Sequence, residues 1–355
     1  MKRSIKIMSF IFIVIVGVFI LSSCKVAEEI INQDSGVKSD SAEVSKVEDE
    51  SESIVAGSDD ITQGMDKKLK LAMVAHNTSS PFSAFFKAGG DDAAAAHNID
   101  FTYMGTPDIN IPEQVSLFEN TIQGGFDGIA VTIFDQKAFE KAIEDANSKS
   151  IAVISFNIDG DWGSRATLGY AGADEFKLGY AMGKWFFENA MKGQGKYILC
   201  PAIADLGVLV YRMDGVKEAA KEYPDIELVT TVEIGTDLSK AYANVENAVT
   251  ANPDVNGLIG TDNFSESIGQ YISKTGNTGK IMGACVDPTP GILKYLKEGA
   301  IQIVVGQNPY LQGYYAIDQL WLYLAKGYHP LEIDTGVEVV TQENMGPYLE
   351  YFGIK

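Results

Sequence analysis

The chain has 355 residues and a formal charge of −20 at pH 7, with 48 acidic and 28 basic side chains. Such a charge disfavours contact with phosphate backbones and argues against nucleic-acid binding. Only three cysteines are present. Cys200 and Cys285 each lie in an apolar, strand-like run, so we expect two buried thiols rather than a disulfide or a metal pair.

Residues 1–23 predict a secretory signal. Lys2, Arg3 and Lys6 precede an apolar run that is short for a membrane-spanning helix. The run ends in Leu-Ser-Ser-Cys, which resembles the bacterial lipobox. That resemblance implies cleavage before Cys24 and a lipid attached to this cysteine. An ordinary signal peptide with a chance cysteine and a retained membrane helix are the alternatives.

Residues 24–65 predict a disordered tether. The segment is rich in Ser, Asp and Glu and has no apolar periodicity, so it cannot bury enough surface to offset its ordering entropy. Its charges are interpreted as solvated, without a specific partner. The rest of the chain, 66–355, is long for a single core, and two domains are expected there.

From residue 69 onwards, short β-branched runs alternate with amphipathic stretches. The first series predicts strands at 69–75, 99–103, 128–133 and 151–156, and helices at 82–97, 112–123 and 136–149. The alternation starts again after a polar loop that contains Trp162. The second series predicts helices at 175–191, 209–222, 238–250, 289–297 and 310–326, and strands at 197–200, 226–232, 257–260, 280–285, 301–305 and 337–341.

This alternation predicts an α/β protein with two doubly wound, Rossmann-like parallel sheets. Parallel strands joined by helices need cover on both faces, which the amphipathic stretches supply. In such sheets a ligand sits beyond the carboxyl ends of the strands. The side chains that follow each strand are therefore the candidate site residues.

Polar and aromatic side chains gather at these strand ends. Groups with several donors and acceptors suit a ligand that bears many hydroxyls, and Phe82 and Trp162 suit the apolar faces of a sugar ring. Each also has a structural alternative: Asx residues cap helices and form turns, Phe82 can belong to the core, and Arg212 can pair on a helix surface. The candidate residues are Ser80, Phe82, Asn157, Trp162, Arg212, Asp262, Asn263, Asp287 and Gln307.

From about 69 to 342 the chain resembles the ribose- and galactose-type periplasmic binding proteins of sugar ABC transporters. The best local matches are Ser-Pro-Phe at 80–82, Phe-Asn at 156–157, Val-Asp-Pro-Thr-Pro at 286–290 and the segment 299–310. The resemblance implies the type I periplasmic-binding-protein fold, with two lobes joined by three crossovers. The expected N-terminal lobe is 66–172 with 308–334, and the expected C-terminal lobe is 173–307 with 335–355.

The resemblance also implies a sugar in the cleft. No cofactor is expected, and no metal either, because His76, His97 and His329 are scattered without metal-ligand spacing. It assigns the polar residue and the aromatic after the first strand to Ser80 and Phe82, and the amide after the fourth strand to Asn157. The remaining family positions fall on Arg212, Asp262 with Asn263, Asp287 and Gln307. Two departures argue against ribose itself: Asn157-Ile158 replaces an Asp-Arg pair, and Thr236 replaces an aromatic platform.

These features together predict a monomeric, extracytoplasmic lipoprotein that captures a sugar and passes it to an ABC permease and its ATPase. A sensor role feeding a chemoreceptor or kinase is the alternative, and a nucleoside or a signalling furanone is an alternative ligand. An enzyme is not expected, because the sequence lacks a dinucleotide fingerprint, a P-loop and a nucleophile elbow. A repressor would need a basic helix-turn-helix head instead of the signal and tether.

Overall fold

The computed structural model describes residues 68–160 and 167–354. The predicted signal segment, Cys24, the acidic tether and Trp162 lie outside the described residues, and the predictions made for them are not tested by the fold. Among the described residues, no helix combines the length and apolar character needed to cross a bilayer. The same part of the chain contains no group of His, Cys, Asp or Glu side chains arranged to hold a metal ion.

The described residues form twelve strands and ten α-helices. The strands are β1 (Lys70–Ala75), β2 (Asp100–Gly105), β3 (Gly128–Ile133), β4 (Ala152–Asp159), β5 (Tyr170–Gly172), β6 (Gln194–Cys200), β7 (Asp225–Thr231), β8 (Gly257–Gly260), β9 (Met282–Val286), β10 (Ile303–Gly306), β11 (Glu332–Asp334) and β12 (Glu338–Val340). The helices are α1 (Ser83–Ala96), α2 (Ile111–Ile122), α3 (Gln136–Ser148), α4 (Glu175–Trp185), α5 (Gly207–Ala220), α6 (Leu238–Ala251), α7 (Glu266–Lys274), α8 (Pro290–Lys297), α9 (Pro309–Lys326) and α10 (Gly346–Tyr351).

The strands form two six-stranded sheets of the same build. The first has the order β11-β5-β4-β3-β1-β2 and is parallel throughout, while the second has the order β12-β10-β9-β8-β6-β7. The second sheet is parallel except for β12, which pairs antiparallel with β10. In both sheets the chain starts on an inner strand, adds the edge strand on one side, and then adds the following strands on the other side. This is the doubly wound pattern.

Each sheet has an apolar core on both faces, because its central strands alternate buried side chains to either side. In the first lobe, α1 and α9 cover one face and α2 and α3 cover the other. In the second lobe, α4 and α5 cover one face, and α6, α7 and α8 cover the other. Cys200 and Cys285 are free thiols buried in this second core, and burial raises the pKa of both.

The chain passes between the two sheets three times. It leaves the first sheet after β5 and enters α4, returns between β10 and α9, and crosses again between β11 and β12. All three passages are short, and the two lobes are therefore connected by three short segments rather than by one linker. These features confirm the predicted two-lobed α/β fold class.

Several elements differ from the sequence-based expectation. The stretch predicted as one helix to residue 191 ends as a π-helical turn at Phe186–Ala190, and α7, α10, β5 and β11 were not predicted. β5 and β11 have only three residues each and carry too little periodicity to be identified. β4 continues past its predicted end at 156, because Asn157 adopts a left-handed backbone (φ 60°) that shifts the register against β3 and lets pairing resume at Asp159.

Candidate functional site

A cavity lies between the two lobes, at the carboxyl ends of the central strands. It contains about 650 Å³ of unfilled space, part of it open to solvent. Both lobes line it. Eight of the nine sequence-predicted residues come together there: Ser80, Phe82, Asn157, Arg212, Asp262, Asn263, Asp287 and Gln307.

The turn after β1 brings Ser80 and Phe82 to the cavity. The Asn77 side-chain oxygen accepts hydrogen bonds from the backbone N–H groups of Ser79 and Ser80, both at 3.0 Å, and this fixes the turn. Phe82 is 8% exposed and packs edge-on against Phe86, with ring centroids 5.0 Å apart. Phe82 therefore belongs to the core of the first lobe and also forms part of the cavity wall.

A chain of hydrogen-bonded side chains runs across the cavity floor from the first lobe to the second. The Asn157 Nδ2 atom donates to Gln307 Oε1 at 3.0 Å and to Gln312 Oε1 at 3.0 Å. Gln307 Nε2 then donates to Asp287 Oδ1 at 2.9 Å. Asn157 and Asp287 both have positive φ, 60° and 67°, a conformation that Asn and Asp tolerate better than most residues.

Arg212 is buried in an ion pair and does not form the surface pair considered from the sequence. Its Nε atom donates to Glu175 Oε2 at 2.5 Å, and its Nη1 atom donates to the Thr261 carbonyl at 2.8 Å. Burial alone would lower the pKa of Arg212, but the charge and hydrogen bond of Glu175 raise it above its usual range. The guanidinium is thus held charged and oriented at the cavity wall, with donors left for a ligand.

Asp262 has a structural role as well as a place in the cavity wall. Its Oδ2 atom accepts from the backbone N–H of Ala202 at 2.7 Å, and its Oδ1 atom accepts from that of Phe264 at 2.9 Å. The expectation that an Asx residue at a strand end forms a turn is met here. The neighbouring Asn263 reaches across the cleft, where its Nδ2 atom donates to Ser80 Oγ at 3.4 Å.

Among the described residues that line the cavity, the side chains charged at neutral pH all belong to the second lobe. Burial raises the pKa of Asp287 to about 6, an effect that the charge of Arg212 and a hydrogen bond from Gln307 partly offset. Burial likewise raises the pKa of Asp262 to about 6, against its backbone hydrogen bonds. Both carboxyls are mainly ionised at neutral pH and are good acceptors for hydroxyl groups.

Sequence analysis missed His76, Glu175 and Gln312. His76 directly follows β1 and lines the cavity, so the rule that strand ends carry the site could have found it. Its Nδ1 atom lies 3.2 Å from Thr132 Oγ1, and burial lowers its pKa to about 4, which keeps the ring neutral at pH 7. Glu175 and Gln312 lie inside helices and have no local sequence signal, because only tertiary packing brings them to Arg212 and Asn157.

Comparison with known proteins places these features in one family. A family model described as a periplasmic binding protein domain matches residues 71–328. The xylose/arabinose-binding protein of Sulfolobus acidocaldarius is 27% identical over 298 residues, which cover 79% of this chain and 73% of that protein.

Solved structures agree. An ABC transporter solute-binding protein from Burkholderia graminis, in complex with D-arabinose, is 27% identical with a TM-score of 0.72 and covers 79% of this chain and 98% of that one. A periplasmic solute-binding protein from Actinobacillus succinogenes with bound D-allose is 25% identical, with a TM-score of 0.74 and coverage of 79% and 100%. The chain therefore belongs to the periplasmic binding protein family, as its resemblance to the ribose- and galactose-type members predicted.

Proposed function

We propose that this chain is an extracytoplasmic solute-binding lipoprotein that captures a monosaccharide or similar polyol between its lobes and delivers it to an ABC importer. The observation that carries the proposal is the convergence of hydrogen-bonding groups from both lobes on one cavity. Asn157 and Asn263 supply amides, Asp287 supplies a carboxylate, and Arg212 supplies a fixed cation. Such a set is suited to hydroxyl groups, which both donate and accept.

The ligand class is supported by the relatives, whose names and bound ligands include xylose or arabinose, D-arabinose and D-allose. The same likeness to transport proteins supports a binding role rather than catalysis. A binding screen against pentoses, hexoses, polyols and nucleosides tests this proposal. A ligand present far above its Kd should raise the free energy of unfolding by about 3–4 kcal/mol, seen as a thermal shift. A shift with nucleosides alone, or with none of these compounds, would contradict it.

The proposed mechanism is capture by closure. A ligand held by groups of both lobes stabilises the arrangement in which the lobes approach each other. The lobes already touch through Asn263 and Ser80, and the Phe85 ring of the first lobe stacks on Tyr351 of the second with centroids 4.9 Å apart. Small-angle scattering should give a smaller radius of gyration with a bound sugar than without it. An identical scattering profile with a sugar that demonstrably binds would refute closure.

Delivery to an importer is tested by uptake. Cells that lack this chain should lose high-affinity uptake of the sugar identified in the screen, and the wild-type gene should restore it. Asp287→Ala should not restore uptake, because removing one partner of buried hydroxyls weakens binding by about 2–4 kcal/mol. Normal uptake without the chain, together with loss of chemotaxis or of a transcriptional response, would favour the sensor role.

We also propose that Cys24 is the lipidated first residue of the mature protein, on the basis of Leu-Ser-Ser-Cys at 21–24. The family likeness supports a location outside the cytoplasm. Cys24→Ala should release the protein from membranes or leave it as uncleaved precursor. Unchanged processing and unchanged partitioning into detergent would contradict lipid attachment at this residue.

A further inference from the structure

Gln312 is a fully buried glutamine in the first turn of α9 that does not line the cavity. Its Nε2 atom donates to the Gln307 backbone carbonyl at 2.8 Å and lies 3.3 Å from Thr335 Oγ1. The Thr335 hydroxyl donates to the same Gln307 carbonyl at 2.8 Å. Gln307 and Thr335 belong to the second and third passages between the lobes, so this amide joins two of the three connections.

These contacts fix which way round the Gln312 amide lies. A backbone carbonyl only accepts hydrogen bonds, so the atom of Gln312 at 2.8 Å from it must be the NH₂ group. The Gln312 oxygen is then the atom at 3.0 Å from Asn157, and the Asn157 atom facing it must be an NH₂ group as well. The orientation of one buried amide therefore dictates the orientation of the next.

The same reasoning fixes the orientation of the side chains that face the cavity. Asn157 uses its NH₂ group on Gln312 and Gln307, which leaves its Oδ1 atom for the cavity. Gln307 accepts with its oxygen and so presents its NH₂ group to Asp287 Oδ1, which leaves Asp287 Oδ2 for the cavity. Both free atoms are acceptors. A compound bound between them must offer a hydrogen-bond donor to each.

We propose that Gln312 is a positioning residue that sets the ligand specificity of the site by holding Asn157 as an acceptor. The site then selects polyols with a free hydroxyl at the position facing Asn157 and rejects deoxy, fluoro and O-alkyl analogues there. The inference rests on the proposed sugar-binding function and deepens it. Unlike Asn157 and Asp287, Gln312 acts without touching the ligand.

Gln319 provides a matched control. It is a second buried glutamine on the same helix, and it also bonds to backbone groups: Leu331 N–H donates to its Oε1 atom at 2.5 Å, and its Nε2 atom lies 3.5 Å from the Tyr170 carbonyl. It lies outside the cavity lining and has no hydrogen bond to a cavity residue among the described contacts. Gln319→Met should therefore lower stability as Gln312→Met does, without changing specificity.

The experiment measures Kd by calorimetry for D-arabinose, D-xylose and D-allose and for their monodeoxyfluoro analogues, since a C–F group cannot donate a hydrogen bond. In the wild type, fluorine at the position facing Asn157 should weaken binding about a hundredfold relative to the parent sugar, because an acceptor faces an acceptor. In Gln312→Met the Asn157 NH₂ group keeps only one of its two acceptors, Gln307 Oε1, so the amide is held less firmly and this ratio should fall to about tenfold or less. In Gln319→Met it should stay as in the wild type.

Equal ratios in the wild type and Gln312→Met would overturn the inference while leaving sugar binding intact. If the wild type binds none of the probes, the proposed function is overturned, and this inference with it. If Gln312→Met does not fold, hydrogen exchange of wild-type side-chain amides decides. The Asn157 NH₂ protons should be protected without sugar, and exchange as fast as that of the exposed Asn98 would contradict the inference.

Discussion

The two lobes use the same close helix packing, but only in the second does it hold a charged side chain of the cavity. In the first lobe, α1 and α9 approach so closely that a Cβ on Gly89 would lie 2.0 Å from the Tyr310 carbonyl oxygen. In the second lobe, a Cβ on Gly179 of α4 would lie 1.9 Å from the carbonyl oxygen of Arg212 in α5. The first crossing supports a core, whereas the second places a charged residue of the cleft.

The fourth strands of the two lobes offer the same comparison at the cavity. Asn157 follows the core of β4 and Asp287 follows β9, both with positive φ and both hydrogen bonded to Gln307. The first lobe has a neutral amide where the second has a carboxylate. Equivalent positions in the two lobes thus carry different charges. The fold determines where a site residue lies, and its side chain determines the chemistry there.

The largest effect is expected at the first residue of the paired helices. α4 begins with Glu175, which pairs with Arg212, and α1 begins with Ser83, whose hydroxyl donates to the Asn77 carbonyl. Glu175→Gln should lower the free energy of unfolding by about 3–5 kcal/mol, because it leaves a buried cation without its partner. Ser83→Ala should cost about 1 kcal/mol. Urea denaturation measures both, and equal losses would contradict the difference between the lobes.

Asp287→Asn should stabilise the sugar-free protein and weaken sugar binding. The folded pKa of about 6 lies above the ordinary value of 3.8, so ionisation of Asp287 opposes folding at high pH, and the cost disappears as the pH falls through 6 towards 4. The variant should be more stable by roughly 3 kcal/mol at pH 8 and nearly unchanged at pH 4.

Asn157→Asp is the reciprocal change in the first lobe. It replaces the Asn157 NH₂ donor with an oxygen that faces the acceptor oxygens of Gln307 and Gln312, so it should destabilise the protein at pH 8 and less at low pH. Thermal unfolding across this pH range, with calorimetry for sugar binding, measures both variants. The same sign in both at pH 8 would break the comparison.

The glycine crossings should lose similar stability but differ in binding. Gly179→Ala and Gly89→Ala each force a Cβ against backbone, and each should cost about 1–3 kcal/mol. Gly179→Ala moves the helix turn that holds Arg212, so its affinity for sugar should also fall about tenfold. Gly89→Ala presses on the first turn of α9, which carries Gln312 but no residue of the cavity wall, so its affinity should fall less than that of Gly179→Ala. Equal affinities, measured well below the melting temperature, would show that the second crossing does not position Arg212.

The smallest effect is expected at Lys177, on the exposed face of the same α4 helix that carries Glu175. Its Nζ atom lies 3.0 Å from Asp174 Oδ2 and 3.2 Å from Asp334 Oδ2, and the side chain is 65% exposed. Lys177→Ala should cost less than about 1 kcal/mol, because solvent screens exposed ion pairs. The loss should shrink further in 1 M salt. A loss comparable with that of Glu175→Gln would mean that the exposed bridge holds the lobe connections together.

Sequence periodicity was enough to predict the two doubly wound sheets and most of their elements. Buried parallel strands read as β-branched runs, and helices that cover them are amphipathic, so both patterns are local. The rule that ligands lie beyond strand ends also identified eight candidates that line one cavity, because it depends only on chain direction. The ninth, Trp162, lies outside the described residues. The short strands β5 and β11 were not predicted, since only their pairing with other strands identifies them.

Tertiary structure alone decided how these side chains act. Whether Asp262 also holds a second loop, and whether Arg212 lies on a surface or in a buried pair, depends on Ala202 and Glu175, which are distant in sequence. The orientation of Asn157 depends on Gln312, 155 residues away. Periodicity depends on residues a few positions apart, so the sequence shows it directly. A hydrogen bond between residues distant in sequence depends on which parts of the chain the fold brings together, so only the tertiary structure shows it.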